Sequence, residues 1–192
     1  MGETAMAATG RSWSKIARRI RVPLGFLFAV VYLWRARPNW QSLALGGIVV
    51  ALGVFLRAVA SGHVKKNEEL TTSGPYAYCR NPLYLGSMIL ALGFVIASHD
   101  IWMAVAIAAL FGLIYVPVIR SEEDLLSRHF AEYDDYARRV PRLLPTTIWL
   151  SGLTSGFSPE LYRQHREYNA VIGAAAILAA LVVKILWFPH SW

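Results

Sequence analysis

Apolar positions along this chain gather in long, uniform runs rather than at the three- and four-residue spacing of amphipathic helices. Five stretches stand out, at 22–34, 43–60, 83–98, 101–119 and 170–188. Each reads as a membrane span, since roughly 20 apolar residues cross the hydrocarbon core. The first is short, and its ends are expected to extend by snorkelling of Arg21 and Arg35. It is followed by Arg35, Arg37 and Pro38 without a small-residue cleavage pattern, so it reads as a retained anchor. Only His99 and Asp100 separate the third run from the fourth, which predicts a tight antiparallel hairpin. Gly46, Gly47 and Gly53, then Gly86 and Gly93, then Gly173 to Ala176 place small residues where helix backbones can approach in lipid. Arg57 and Lys184 lie near span ends and are expected to snorkel, with a part in the site as the alternative for Arg57. The pattern predicts an all-α, polytopic membrane helix bundle of about five transmembrane helices. Residues 22–192 form one transmembrane domain behind a basic tail, 1–21.

Composition agrees. Of 192 residues, 56% are hydrophobic and 16% charged, against about a quarter charged in soluble domains. One cysteine, Cys79, leaves no internal disulfide and no cysteine-based metal cluster, so no metal is expected. Charge then sets the orientation. With the N-terminus in the cytosol, fifteen of the 19 Lys and Arg fall in 1–21, 61–82 and 120–169, as the positive-inside rule requires. The C-terminus lies on the opposite side. The net charge of +7 then faces anionic headgroups and needs no nucleic-acid partner.

The two long polar segments, 61–82 and 120–169, therefore share a face, and the hairpin brings Arg80–Tyr84 back beside Arg120–Glu123. Gly74-Pro75 and Asn81-Pro82 are turn signals, with Pro82 suited to a first helical turn and Asn81 to its cap. In the second segment Ser121 reads as an N-cap, which puts Glu122 and Glu123 in a first turn where the helix dipole favours anions. Leu126, Phe130, Tyr133, Ala137 and Val140 follow on one apolar face. A capped loop with headgroup-anchoring tyrosines accounts for much of this. It does not account for carboxylates leaving the membrane opposite an arginine.

Gly74-Pro75-Tyr76, then Arg80-Asn81-Pro82-x-Tyr84-x-Gly86, then, after the hairpin, Glu122-Glu123-x-Leu125, Phe130, Tyr133, Tyr136 and Val140-Pro141 form an ordered set. Over about 57–145 it resembles the isoprenylcysteine carboxyl methyltransferase family, with which phospholipid N-methyltransferases share much of the pattern. Asn81 stands where the eukaryotic carboxyl methyltransferases usually have histidine, and the run at 170–188 lies beyond where many relatives stop. The resemblance implies a cytosolic-side S-adenosylmethionine site and a methyl acceptor that is a membrane lipid or another lipophilic molecule. Candidate catalytic residues are Arg80 and Glu123. Candidate cofactor contacts are His63, Tyr76, Arg80, Asn81, Pro82, Tyr84, Glu122, Glu123, Tyr133 and Tyr136. Arginine suits the cofactor carboxylate, Glu122 or Glu123 its ammonium or ribose hydroxyls, and tyrosine faces its sulfonium. An interfacial position is the plain alternative for His63, as a small interfacial side chain is for Cys79.

Two other functions fit the residues. Sterol reductases carry a related Arg-x-Pro-x-Tyr element, and a membrane NADPH-dependent reductase would need a basic cluster for the 2′-phosphate, which Arg138, Arg139 and Arg142 offer. A non-catalytic membrane scaffold would leave Arg80 and Glu123 dispensable. The acceptor and the oligomeric state are not encoded legibly.

Overall fold

The computed structural model describes residues 25, 27–65, 68–145, 152 and 154–187. The basic tail 1–21, the start of the first expected span, Lys66 and Phe188 lie outside the described residues.

The described chain is helical with no strands among its described residues, an all-α membrane bundle as the apolar runs predict. Residues 27–35 form α1. They are followed by α2 (Trp40–Ser61), a 3-10 turn (Gly74–Ala77) and α3 (Pro82–Ser98). Next come α4 (Ile101–Leu110), a π turn (Phe111–Tyr115), α5 (Val116–His129), α6 (Tyr133–Arg139), α7 (Pro159–Gln164) and α8 (Tyr168–Trp187). Three helices are long and apolar enough to cross a membrane, Trp40–Ser61, Ile101–His129 and Tyr168–Trp187, and Pro82–Ser98 is a shorter apolar helix. Aliphatic side chains such as Leu45, Ile48, Leu52 and Ile172 stand exposed on them, as lipid-facing positions do.

Four glycines make the α2–α3 seam. A Cβ on Gly46 would meet the Gly93 carbonyl at 2.5 Å, and one on Gly53 would meet Leu90 N at 2.4 Å. Gly86 and Gly93 are equally tight against Arg57 and Val50. The contacts pair early α2 with late α3, so the helices run antiparallel with their backbones nearly touching. Gly47 and Gly173, grouped with these in the sequence, have open space beside them. Tyr32 locks α1 onto the seam by donating to the Phe94 carbonyl at 2.8 Å. His99 and Asp100 form the predicted tight turn, with Asp100 capping α4 at Trp102 N, 2.8 Å.

Three expectations are corrected. Arg35 does not snorkel: it pairs with Asp100 at 2.8 Å, tying the end of α1 to the hairpin turn. Arg57 does not snorkel either: its Nε meets Glu167 Oε1 at 2.6 Å and its Nη1 donates to Ser87 Oγ. Lys184 caps α1 instead, donating to the Leu33 and Trp34 carbonyls at 2.8 and 2.9 Å. In an apolar bundle a charge that can reach an internal partner is better served there than by stretching to the interface.

The fourth apolar run also differs from its reading. It does not stop at residue 119. It continues through the π turn as one helical rod, Ile101–His129. Pro117 brings no N–H and its ring crowds the carbonyl one turn back, so the backbone widens there rather than breaking. Ser121 therefore caps nothing; its Oγ donates to the Val118 carbonyl at 3.1 Å. Glu122 and Glu123 lie inside a helix, away from any N-terminal dipole.

Candidate active site

The two polar segments meet at one end of the bundle. Arg80 N donates to the Pro141 carbonyl at 2.9 Å, and the Tyr136 hydroxyl donates to the Tyr76 carbonyl at 2.7 Å. The single span of α5 and α6 expected from the apolar stripe breaks at Phe130, whose extended backbone ends α5. That break lets α6 turn back over the start of α3.

Asn81 holds the N-cap position of α3 and Pro82 its first turn, but the Asn81 side chain makes no cap hydrogen bond. It turns inward instead, its Nδ2 donating to Glu123 Oε1 at 2.9 Å and to the Arg142 carbonyl at 3.1 Å. Glu123 is buried at 6% exposure. Its other oxygen receives Arg142 Nε at 2.8 Å and Nη2 at 2.7 Å, a two-pronged contact. Arg80 Nη1 completes the cluster, 3.7 Å from Glu123 and 3.5 Å from the Tyr133 hydroxyl. Arg80 Nε is buried without a partner.

A cavity of about 280 Å³ opens beside this cluster, near the lower end of small-molecule sites. Its wall includes Tyr76, Arg80, Asn81, Pro82, Tyr84, Glu122 and Tyr136, with Leu125, Leu126 and Phe130 as apolar lining. Seven of the expected cofactor contacts thus come together. Three stand elsewhere. Glu123 lies behind the wall in the ion cluster, and Tyr133 sits edge-on to Tyr136, with centroids 6.1 Å apart. His63 is fixed by the Val59 and Ser155 carbonyls at 2.7 and 2.9 Å. Gly74 explains its burial: with φ +56°, it brings its backbone against the imidazole where a Cβ would come within 2.4 Å.

Burial pushes the phenols of Tyr76, Tyr133 and Tyr136 above the ordinary tyrosine value. All three stay neutral donors at physiological pH. Burial pushes the Cys79 thiol up to about 11, so it is no thiolate nucleophile. Arg142 was weighed only as part of a basic cluster, and its grip on Glu123 had no signal beyond its place after Pro141. That cluster disperses: Arg138 pairs with Asp135, Arg139 Nε donates to the Asp135 carbonyl at 3.2 Å, and Arg142 is taken by Glu123.

An orphaned guanidinium nitrogen, a carboxylate and neutral phenols thus gather around a cavity at one end of an apolar membrane helix bundle. Residues 41–133 match the model of the phospholipid methyltransferase family, which supports the resemblance drawn from the ordered motif set. The chain is 47% identical over 112 residues to the nickel-cobalt-cadmium resistance protein of Alcaligenes xylosoxydans xylosoxydans, covering 56% of this chain and 53% of the relative. It is 34% identical over 132 residues to the cobalt-zinc-cadmium resistance protein of Cupriavidus metallidurans, covering 65% and 61%. It is 29% identical over 152 residues to the protein-S-isoprenylcysteine O-methyltransferase of Schizosaccharomyces pombe, covering 71% and 60%. The chain thus spans a little over half the length of these curated relatives. No solved structure matches it.

Proposed function

We propose that this protein is an integral membrane methyltransferase that uses S-adenosylmethionine to methylate a lipophilic acceptor. The observation that carries the reading is Arg80 Nε, a charged donor sealed from water with nothing to bind, on a residue that lines the cavity. Leaving such a group unpaired is costly, and a ligand carboxylate that draws the Arg80 side chain toward the cavity it lines relieves that cost. Glu122 is the carboxylate on the wall for an ammonium or ribose hydroxyls, and the faces of Tyr76, Tyr84 and Tyr136 suit a cation. Bound there, S-adenosylmethionine supplies an electrophilic sulfonium methyl. Its in-line transfer needs alignment and water exclusion more than proton transfer. Leu125, Leu126 and Phe130 exclude water; Glu123 serves as a positioning residue that holds Arg80, Asn81 and Arg142.

Calorimetry on the protein in nanodiscs tests the donor. Saturable S-adenosylmethionine binding, competed by S-adenosylhomocysteine, is expected, with no heat from NADPH. Binding of NADPH alone would replace this reading by the reductase. The dispersal of Arg138, Arg139 and Arg142 argues against that outcome. Among the described residues no group of three or more His, Cys, Asp or Glu is placed to hold a metal ion.

The charge tally further assigns the cavity end of the bundle to the cytosol and the His99–Asp100 turn to the opposite side. In a Cys79→Ser background, a cysteine introduced at His99 should react with an impermeant maleimide only from the non-cytosolic side. Labelling from the cytosol alone would invert the topology.

A further inference from the structure

A second cavity, of about 330 Å³, lies within the apolar bundle between α1, α3, α4 and α8. That volume is in the range of small-molecule sites. Nearly all of its wall is hydrocarbon, including Phe28, Leu90, Leu110 and Ile177, and its polar atoms come from Arg57, Ser87 and the hydroxyls of Tyr32 and Tyr115. Tyr32 spends its hydroxyl on the Phe94 carbonyl.

Arg57 is the informative residue. Its Nε is taken by Glu167 at 2.6 Å, and its Nη1 by Ser87 Oγ and the Leu83 carbonyl. Nη2 makes no hydrogen bond to a described residue, and it is not sealed from the surroundings as Arg80 Nε is. Arg57 thus brings a guanidinium, with one nitrogen unbonded among the described residues, to a cavity whose other surface is nearly all hydrocarbon. In an apolar medium unmade hydrogen bonds of this kind are expensive. An occupant that brings an oxygen acceptor relieves that cost; a bare hydrocarbon does not. Glu167 already balances the Arg57 charge, so an occupant bringing a further anion would leave that anion unpaired at low dielectric. The matching head is an uncharged oxygen, such as an ester or amide carbonyl or a hydroxyl.

The two cavities abut. Leu83 and Tyr84 line the donor cavity. The Leu83 carbonyl accepts from Arg57 and from Ser87 Oγ, at 3.4 and 2.9 Å. The Tyr84 ring stands edge-on to Tyr115, with centroids 5.7 Å apart, and Tyr115 lines the membrane cavity. A molecule seated with its chain in the bundle and its oxygen on Arg57 therefore has its head one side-chain layer from the donor.

We infer that this intramembrane cavity binds the apolar chain of a single-chain amphiphile, and that Arg57 Nη2 selects one with an uncharged carbonyl or hydroxyl oxygen at the head of that chain. The inference deepens the methyltransferase reading by stating what an acceptor must carry. Its test does not depend on turnover.

Scintillation proximity with tritiated 1-dodecanoylglycerol on the protein in nanodiscs provides the readout. Saturable binding is expected, with dodecane competing at least tenfold more weakly and dodecyl phosphate no better than the glycerol ester. Arg57→Met/Glu167→Leu removes both charges without stranding either and should weaken binding at least tenfold. Gly173 lines the cavity and has open space where a side chain would start, so Gly173→Phe should do the same by filling it, with Arg57 intact. Both variants should keep S-adenosylmethionine affinity within about twofold. If the double variant fails to fold, Gly173→Phe decides alone. Unchanged ester binding in a folded variant, equal competition by dodecane, or preference for dodecyl phosphate overturns the inference. Failure of wild-type S-adenosylmethionine binding with ester binding intact would sink the methyltransferase reading instead.

Discussion

Arg80→Lys is expected to bind S-adenosylmethionine nearly as poorly as Arg80→Ala, while melting close to the parent. Arg80 lies at the start of α3, with its backbone fixed by the Pro141 carbonyl at 2.9 Å and by the Pro82 turn. Those constraints belong to the main chain and survive either substitution. Among the described residues the side chain's polar contacts are those of 3.5 and 3.7 Å to Tyr133 and Glu123, which are long for charged hydrogen bonds. What it offers uniquely is the Nε–H edge, buried and unpartnered. A lysine has one ammonium at the end of a flexible stem and cannot present that edge. Losing a charge-assisted hydrogen bond at a desolvated site costs on the order of 2–4 kcal/mol, or roughly 30- to 1000-fold in affinity. Calorimetric affinity and thermal midpoints for both variants decide the matter. Parent-like binding by Arg80→Lys would reduce Arg80 to a headgroup anchor, and affinity falling only in step with stability would make it a fold residue.

Arg80 was legible because its neighbours in sequence, Asn81-Pro82, fix where it stands, and because the hairpin geometry follows from two residues, His99 and Asp100. The glycine seam was legible as composition; which glycines face the partner was not, since Gly46 and Gly47 differ only in their angle around α2. The reading of Ser121 as a cap failed for a definite reason. The apolar run ends at residue 119 and Ser121 reads as the start of a new helix, yet a π turn absorbs Pro117 and the rod carries on to His129. Nothing local to Ser121 distinguishes the two outcomes. The internal charges failed as a class. Arg35, Arg57 and Lys184 each found partners more than 60 positions away in sequence, and such long-range pairing leaves no periodic trace. Asn81 shows the same limit at closer range: its cap position was readable, but its turn toward Glu123 depends on a helix that begins some twenty residues later.

That turn carries the second large effect, a contrast between adjacent carboxylates. Glu122 lines the cavity; Glu123 is buried behind it, receiving Asn81 at 2.9 Å on one oxygen and both prongs of Arg142 on the other. Glu123→Gln replaces an acceptor-only group by one that must point its NH₂ at a donor, either Asn81 or Arg142. It also strands the positive charge of Arg142. Breaking a buried pair by removing one partner costs about 3–5 kcal/mol. Arg142 is half exposed, at 49% of its side chain, so the stranded charge keeps some water and the expected loss is about 2–3 kcal/mol. Glu123→Asp should fall between, because a side chain one methylene shorter cannot span Asn81 and Arg142 together. Arg142→Gln should lose less than Glu123→Gln, since Glu123 keeps Asn81 and Arg80. Glu122→Gln makes the opposite pattern: an unchanged melting temperature with donor affinity down about tenfold or more, as expected for removing a single charged contact. In Glu123→Gln, stability and affinity should fall together, because the network that sets Arg80 and Asn81 loosens with the fold. Thermal midpoints and S-adenosylmethionine affinities for the four variants separate the roles. If Glu123→Gln melts like the parent but binds poorly, while Glu122→Gln binds normally, then Glu123 is the ligand contact and Glu122 the bystander.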